Sequence, residues 1–268
     1  MKITEIIENI ETNKDKDICL PTGFRQLDGF LDGGLFRKEL IIIGGGSGSG
    51  KSYIAGTIFR KIASQGFKCG YFSLEISNSM VVSRMIAQDS GIKFSRILYG
   101  LLTPDEQLKK ENSKTSLMVW EDCMDFNDEV YEFEKLELAI RTNKYDFVVI
   151  DFIQNIIAKA KDEYSALSQI SLRLQKLAKE CNCCILALSQ LSNSVNRSGG
   201  EIAEFKGSSS IMNVCDLGVF ILRKSNSEVL VNDEFVLKII KNRRGISGVE
   251  FGFKFIQPGG QIVEINQR

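Results

Sequence analysis

An α/β fold with a mainly parallel central sheet flanked by helices is predicted by three features of the sequence. Short apolar runs at 40–44, 69–74, 116–120, 146–151 and 183–189 are bounded by turns or charges. Between them lie longer stretches with helical periodicity, at 51–65, 77–90, 127–142 and 164–181. Strands that read as continuous apolar runs and alternate with helices belong to a parallel sheet covered on both faces. After about residue 215 the rhythm changes to closely spaced runs, LGVFILR, FVLKIIKN, VEFGFKF and QIVEI. Turn signals at Arg244-Gly245 and Pro258-Gly259-Gly260 separate the last of these. They predict antiparallel strands that extend the same sheet at its C-terminal end. No linker, repeat or low-complexity segment divides residues 15–268, which read as one domain.

Composition narrows the function classes. Of 268 residues, 43% are hydrophobic and 25% charged, enough for a real core. The 34 basic and 34 acidic residues cancel, so any nucleic-acid surface must come from local placement of charge. Histidine is absent, which removes imidazole bases and imidazole metal ligands. The seven cysteines include the cluster Cys181, Cys183 and Cys184, which opens the apolar run CCILALS. No second cluster completes a thiolate metal site, so these read as reduced, buried thiols. No apolar run reaches membrane-spanning length and the N-terminus lacks a signal-peptide core, which predicts a soluble cytoplasmic protein with no membrane partner. The stretch Glu121–Glu137 holds eight acidic residues and one lysine, Lys135; it reads as a solvated helix face and as a surface that nucleic acid avoids.

Residues 1–14 stand apart. Ile3, Ile6, Ile7 and Ile10 fall at helical spacing and form one apolar stripe. A helix this short must dock to be stable, either on its own domain or on a neighbouring subunit.

The strongest chemical signal follows the run LIIIG. Gly45, Gly46, Ser47, Gly48, Ser49, Gly50, Lys51 and Ser52 match G-x-x-x-x-G-K-[ST] between a strand and a helix. Glycines let backbone N–H groups turn around phosphate oxygens where a β-carbon would obstruct them. Lys51 is placed to reach the β- and γ-phosphates of ATP, and the helix N-terminus adds its positive dipole end. The Ser52 hydroxyl is the expected Mg²⁺ ligand. Asp151, which ends the strand FVVID, fits the carboxylate that orders the magnesium shell.

Four further residues carry paired readings. Glu75 closes the strand GYFSL, where a carboxylate could polarise the attacking water or cap the next helix; Ser77 and Asn78 already serve as caps, which favours the base. Gln190 ends LALSQ and reads equally well as a γ-phosphate sensor or as an ordinary polar strand end. Lys241 and Arg243 share one face of a strand and could reach a triphosphate held by an adjacent subunit, or form a solvated basic hairpin.

Together these residues resemble the helicase domain of DnaB-type replicative helicases, a hexameric branch of the RecA-like P-loop ATPases. The matching segments run in order: TGFRQLDGFLDGGL, FSLEIS, RILYGLLTPDE, VVIDFIQNI, ISLRLQKLAKE with LALSQL, and KNRRG. RILYGLLTPDE and ISLRLQKLAKE are the more specific ones. The resemblance implies a RecA-like core, Glu75 as catalytic carboxylate, Gln190 as sensor, and Lys241 and Arg243 as trans-acting residues. It implies an ATP-dependent helicase that travels on single-stranded DNA as a ring of six, acting in replication with a loader or other replication proteins.

The resemblance also places DNA-facing loops after the Asp151 and Gln190 strands. Here they carry Lys159 and Lys161, then Arg197, Lys206, Gly207, Ser208 and Ser209. Small residues there could expose backbone N–H groups to phosphates without sequence preference. Lys206, Gly207 and Ser209 stand where the family has arginine, glutamate and glycine. The chain begins almost at the helicase domain, so no primase-binding collar is implied, and the Ile3–Ile10 helix resembles in position the linker helix that docks on the next subunit. A RecA/RadA-like recombination or branch-migration ATPase and a nucleotide-gated replication scaffold are the alternatives. The first lacks its zinc-binding cysteine module here; the second sits badly with an intact Lys51, Glu75 and Arg243.

Overall fold

The computed structural model describes residues 3–4, 19–158, 161–190, 209–223 and 234–265. A two-stranded antiparallel ribbon, β1 (Cys19–Leu20) with β2 (Leu35–Phe36), brackets helix α1 (Arg25–Phe30). The main sheet holds β3 (Leu40–Gly45), β4 (Cys69–Ser73), β5 (Met124–Asn127), β6 (Phe147–Asp151), β7 (Cys184–Gln190), β8 (Leu217–Arg223), β9 (Glu234–Asn242), β10 (Glu250–Ile256) and β11 (Gln261–Ile265). Their spatial order is β11-β10-β9-β8-β3-β7-β6-β4-β5. From β8 to β5 every neighbour is parallel, and β8 to β11 are joined antiparallel. The fold class expected from the run-and-helix alternation is the one found.

Alternation along the central strands sorts the core into two layers. Ile41 and Ile43 of β3, Phe147 and Val149 of β6, and Leu186 and Leu188 of β7 join one cluster with helix α2 (Lys51–Ala63). Leu40 and Ile42, Val148 and Ile150, and Ile185 and Ala187 join the other, under α6 (Phe133–Asn143) and α7 (Glu163–Cys181). Cys184 and Cys183 are buried, one in each layer, as ordinary core side chains. Period-two burial on both faces is why these strands read as unbroken apolar runs.

Two segments depart from the sequence reading. The run at 116–120 is not a strand. A capping box, Thr103 with Glu106, and Pro104 at the first turn start helix α5 (Pro104–Met118), which consumes the start of that run. Met118 and Val119 are exposed, and Leu117 alone of the three packs against the core, from a helix rather than a strand. The strand of this unit is β5, whose four residues alternate polar and apolar at the sheet edge. Helix α6 begins at Phe133 rather than 127, because the Asn127 side chain accepts the N–H groups of Glu129 and Val130 and turns the chain there. The acidic stretch is therefore a turn, an edge strand and a helix. Several of its carboxylates have partners: Glu134 and Glu137 pair with Arg173 of α7.

Helices α3 (Asn78–Ser90), α4 (Phe94–Leu98) and α8 (Ser209–Val214) are the remaining α-helices among these elements. Arg96 of α4 pairs with Glu106 of α5 at 2.6 Å, which closes the RILYGLLTPDE turn on itself. Ile3 and Thr4 are helical and Ile3 is exposed; Ile6, Ile7 and Ile10 lie outside the described residues.

Candidate nucleotide site

The expected phosphate loop lies at the carboxyl edge of the sheet, between β3 and α2. Gly48 and Gly50 hold φ of +69° and +100°, so the loop turns through left-handed conformations that side chains resist. At Gly50 a β-carbon would also stand 2.5 Å from the Phe255 ring. Lys51 bends back over the loop, and its Nζ donates to the carbonyls of Gly45 and Gly46 at 2.8 and 2.9 Å. Burial draws the Lys51 pKa down, against the pull of Asp151 and Glu75. The Ser49 hydroxyl is buried without a hydrogen-bond partner inside the cradle. An orphaned donor among inward-turned glycines fits a loop shaped for phosphate oxygens.

Asp151 is 2% exposed. It hydrogen-bonds the Ser52 hydroxyl and accepts from Tyr71 at 2.9 Å. Desolvation raises its pKa, and those two bonds, with Arg84 and Lys51, act in the other direction. Serine oxygen and carboxylate oxygens side by side are the hard donors a Mg²⁺ ion selects.

Loop residues from Ser47 to Ser52 line a cavity of about 360 Å³, shared by Glu75, Gln190, Arg84, Arg223, Phe255 and the turn Gln257–Gly260; the buried Asp151 meets it through Ser52. Glu75 stands just past the end of β4, exposed to the cavity. Its alternative as a helix cap is displaced: Asp128 accepts the Asn78 N–H at 2.7 Å, while the Ser77 hydroxyl turns to Ser79. Ser77 and Asn78 thus do not cap α3 with their own side chains. A short 3₁₀ turn after β6, Ile153–Asn155, braces both flanking strand ends. Asn155 donates to the Leu74 carbonyl, one residue before Glu75, and Gln154 exchanges bonds with the Gln190 backbone.

The far wall of the cavity is absent from the sequence reading. Tyr53 and Phe255 meet edge to face at 6.0 Å, with Arg84 over Tyr53 and Arg223 over Phe255. Gln88 fastens this wall, donating to the carbonyls of Tyr53 and Gly260 and to the Thr57 hydroxyl. Gly259 packs so closely on α3 that a β-carbon there would collide with the Ala87 carbonyl oxygen. Only the Pro-Gly-Gly turn hinted at this from sequence.

Lys241 and Arg243 do not join the cavity of their own chain. Asn242 pairs with Leu217, which pairs with Ile41, so both cations stand at the amino edge of the sheet. The cavity lies at the other end of β3, on the order of 15 Å away at strand spacing. Lys241 Nζ donates to the carbonyls of Met212 and Asn213, each at 2.7 Å, at the end of α8. Arg243 pairs with Asp216 at 2.7 Å. Of the expected DNA-loop residues, Lys161 is exposed just ahead of α7 and Ser209 opens α8. Lys159, Arg197, Lys206, Gly207 and Ser208 lie outside the described residues.

Residues 19–257 match the family described as "DnaB-like helicase C terminal domain". The chain belongs to this family. Among curated relatives, the replicative DNA helicase DnaB of Treponema pallidum (strain Nichols) is 29% identical over 94% of this chain and 58% of its own length. The replicative DNA helicase DnaB of Geobacillus stearothermophilus is 27% identical over 99% of this chain and 62% of its own length. The chain thus spans about three fifths of these DnaB-like relatives. Among solved structures, one described as an ATPase domain superposes with a TM-score of 0.85 at 21% identity, covering 98% of this chain and 97% of that one. Another, described as "The Structure Of A DnaB-Like Replicative Helicase And Its Interactions With Primase", gives 0.83 at 23% identity, covering 98% and 66%. These likenesses confirm the RecA-like fold expected from the sequence.

Proposed function

We propose that this chain is the motor of an ATP-dependent DNA helicase that moves along single-stranded DNA as a ring of six subunits, in cytoplasmic DNA replication. One observation carries the reading. Lys51, Ser52, Glu75 and Gln190 line one cavity and Asp151 is hydrogen-bonded to Ser52 behind it, while Lys241 and Arg243 are held at the opposite edge of the same DnaB-like fold. Cations kept from their own nucleotide site support the reading that they serve a neighbour's.

Within the site, Lys51 leaves the Gly45 and Gly46 carbonyls for the β- and γ-phosphates, a stronger charge-assisted partner. The aromatic wall of Tyr53 and Phe255, flanked by Arg84 and Arg223, suits the base and the phosphate tail. Ser52 and Asp151 hold Mg²⁺, which when bound screens phosphate charge. Glu75 takes a proton from the water as its oxygen bonds to the γ-phosphorus; the bond from that phosphorus to the β–γ bridging oxygen breaks, and ADP and inorganic phosphate leave. Arg243 and Lys241 from the adjacent subunit stabilise the charge that develops. Gln190, with its backbone tied to Gln154, reports the state of the γ-phosphate to the loop that follows β7.

Lys161 and the loops after β6 and β7 supply non-specific phosphate contacts to the strand, so binding weakens steeply with salt. Among the described residues no helix is long and apolar enough to cross a membrane. A loader and other replication proteins are the expected partners of such a ring.

Unwinding of a fork with a free five-prime tail, run beside Glu75→Gln, tests the proposal. Displacement by the native chain, with turnover lowered about 10²–10⁴-fold in the variant, is the expected outcome. Turnover with strand pairing but no displacement selects a recombination ATPase. ATP binding with no turnover in either protein selects a nucleotide-gated scaffold.

A further inference from the structure

We propose that Asp216 is a positioning residue that fixes the reach of Arg243 toward the nucleotide of the neighbouring subunit. This rests on the reading of Arg243 as trans-acting. Asp216 sits immediately before β8 and is 7% exposed, whereas the Arg243 side chain is 45% exposed. Arg243 is gripped at both ends by this one residue. Its backbone N–H donates to the Asp216 carbonyl at 3.0 Å, and its Nη1 donates to Oδ1 at 2.7 Å. An arginine side chain otherwise samples many rotamers. One bond at one nitrogen removes most of that freedom and leaves the rest of the planar fork for a phosphate.

Asp216 is itself held through backbone and side chain. Its Oδ2 accepts the N–H of Leu40 at 2.9 Å, and its Oδ1 also accepts from Gln175 of α7 at 3.2 Å. Its own N–H donates to the Leu40 carbonyl at 2.9 Å. The carboxylate is therefore bolted to the first residue of β3, the strand that ends in the phosphate loop. An exposed ion pair supplies weak attraction, but a buried carboxylate with its lone pairs taken by fixed donors supplies geometry.

The next residue shows the contrast. Arg244 is 21% exposed, pairs with Glu39 at 3.0 Å and lies 3.6 Å over the Phe36 ring. Its donors are used inside the chain, as a brace. Two consecutive arginines are thus held differently, and the one anchored on Asp216 is the one that faces outward.

The test measures ATP turnover of the full chain carrying Arg243→Ala, Asp216→Asn, or both. Thermal melting, sedimentation and binding of a fluorescent ADP analogue are recorded for each. Misplacing a catalytic contact by about 1 Å costs up to about 10²-fold, so Asp216→Asn is expected to lower kcat about tenfold to a hundredfold. KM for ATP, analogue affinity and assembly stay within about twofold. The double variant is expected to match Arg243→Ala alone, because a residue that acts through Arg243 has nothing left to position. Should Asp216→Asn melt early, Asp216→Glu keeps the charge and moves it by one methylene; a fall in kcat at constant KM is again expected. Native kcat in the Asp216 variants beside a crippled Arg243→Ala overturns this proposal and spares the trans reading. Losses that multiply in the double variant also overturn it. Native turnover in Arg243→Ala sinks both.

Discussion

At the carboxyl edge of the sheet, Lys51, Ser52, Glu75 and Gln190 face one cavity of their own chain, with Asp151 bonded to Ser52, whereas at the amino edge Lys241 and Arg243 rest on α8 carbonyls and on Asp216. The first edge is a site with its own walls; the second is a set of cations held by groups of their own chain. The difference teaches how a strand-built domain can serve two nucleotides. A parallel strand has one end at the phosphate loop and the other a strand length away. A group fixed at the far end is out of reach in cis and free to act in trans.

The comparison breaks most visibly if Arg243 proves dispensable. Arg243→Ala is expected to lower kcat about 10³-fold with nucleotide affinity retained. Lys51→Ala is expected to lose turnover by about 10²-fold or more through its own cavity. Mixing the two variants should restore part of the activity, because one supplies an intact loop and the other an intact arginine. Mixed assemblies as inactive as either parent would place both defects in one subunit's site.

A smaller effect sharpens the carboxyl edge. Gly50→Ala puts a side chain at φ +100°, against the Phe255 ring. The expected loss is about 1–3 kcal/mol in denaturant unfolding, together with weaker nucleotide binding. Unchanged unfolding and binding would mean that the cradle tolerates a β-carbon after all.

The smallest expected effect lies at the amino edge. Burial raises the pKa of Glu39, with Arg244 pulling it back, and Glu39 Oε2 has no hydrogen-bond partner. The native chain then holds this proton at pH values where the unfolded chain has released it. Stability therefore falls as pH climbs from the ordinary carboxylate range through the raised value. Glu39→Gln should flatten that slope in melts taken across the window. An unaltered slope would show that other groups set it.

Legibility followed the same division. The phosphate loop, Ser52 and Asp151 could be read directly because their roles need particular residue types at fixed spacing, and the structure brings Ser52 and Asp151 into contact. Glu75 and Gln190 could be placed at strand ends, yet their braces, Asn155 and Gln154, gave no signal beyond a polar pair after an apolar strand. The aromatic wall of the cavity was silent because Tyr53, Arg84, Arg223 and Phe255 come from four elements that only packing brings together. The strand expected at 116–120 failed since local capping at Thr103 outweighs a short apolar run, while the true edge strand β5 has too few core contacts to look like one.

What the sequence determined by itself is chemistry bound to local geometry: two-faced apolar strands, glycines where φ must be positive, and a lysine and serine at a helix start. Tertiary structure alone decided which distant residues share a space. It put Asp216 under Arg243 and Leu40, Asp128 on the α3 N-terminus, and Phe255 against Gly50. The physical reason is range. Backbone conformation and hydrophobic period act over a few residues, whereas buried hydrogen bonds and ring contacts form between segments that only the folded sheet makes neighbours.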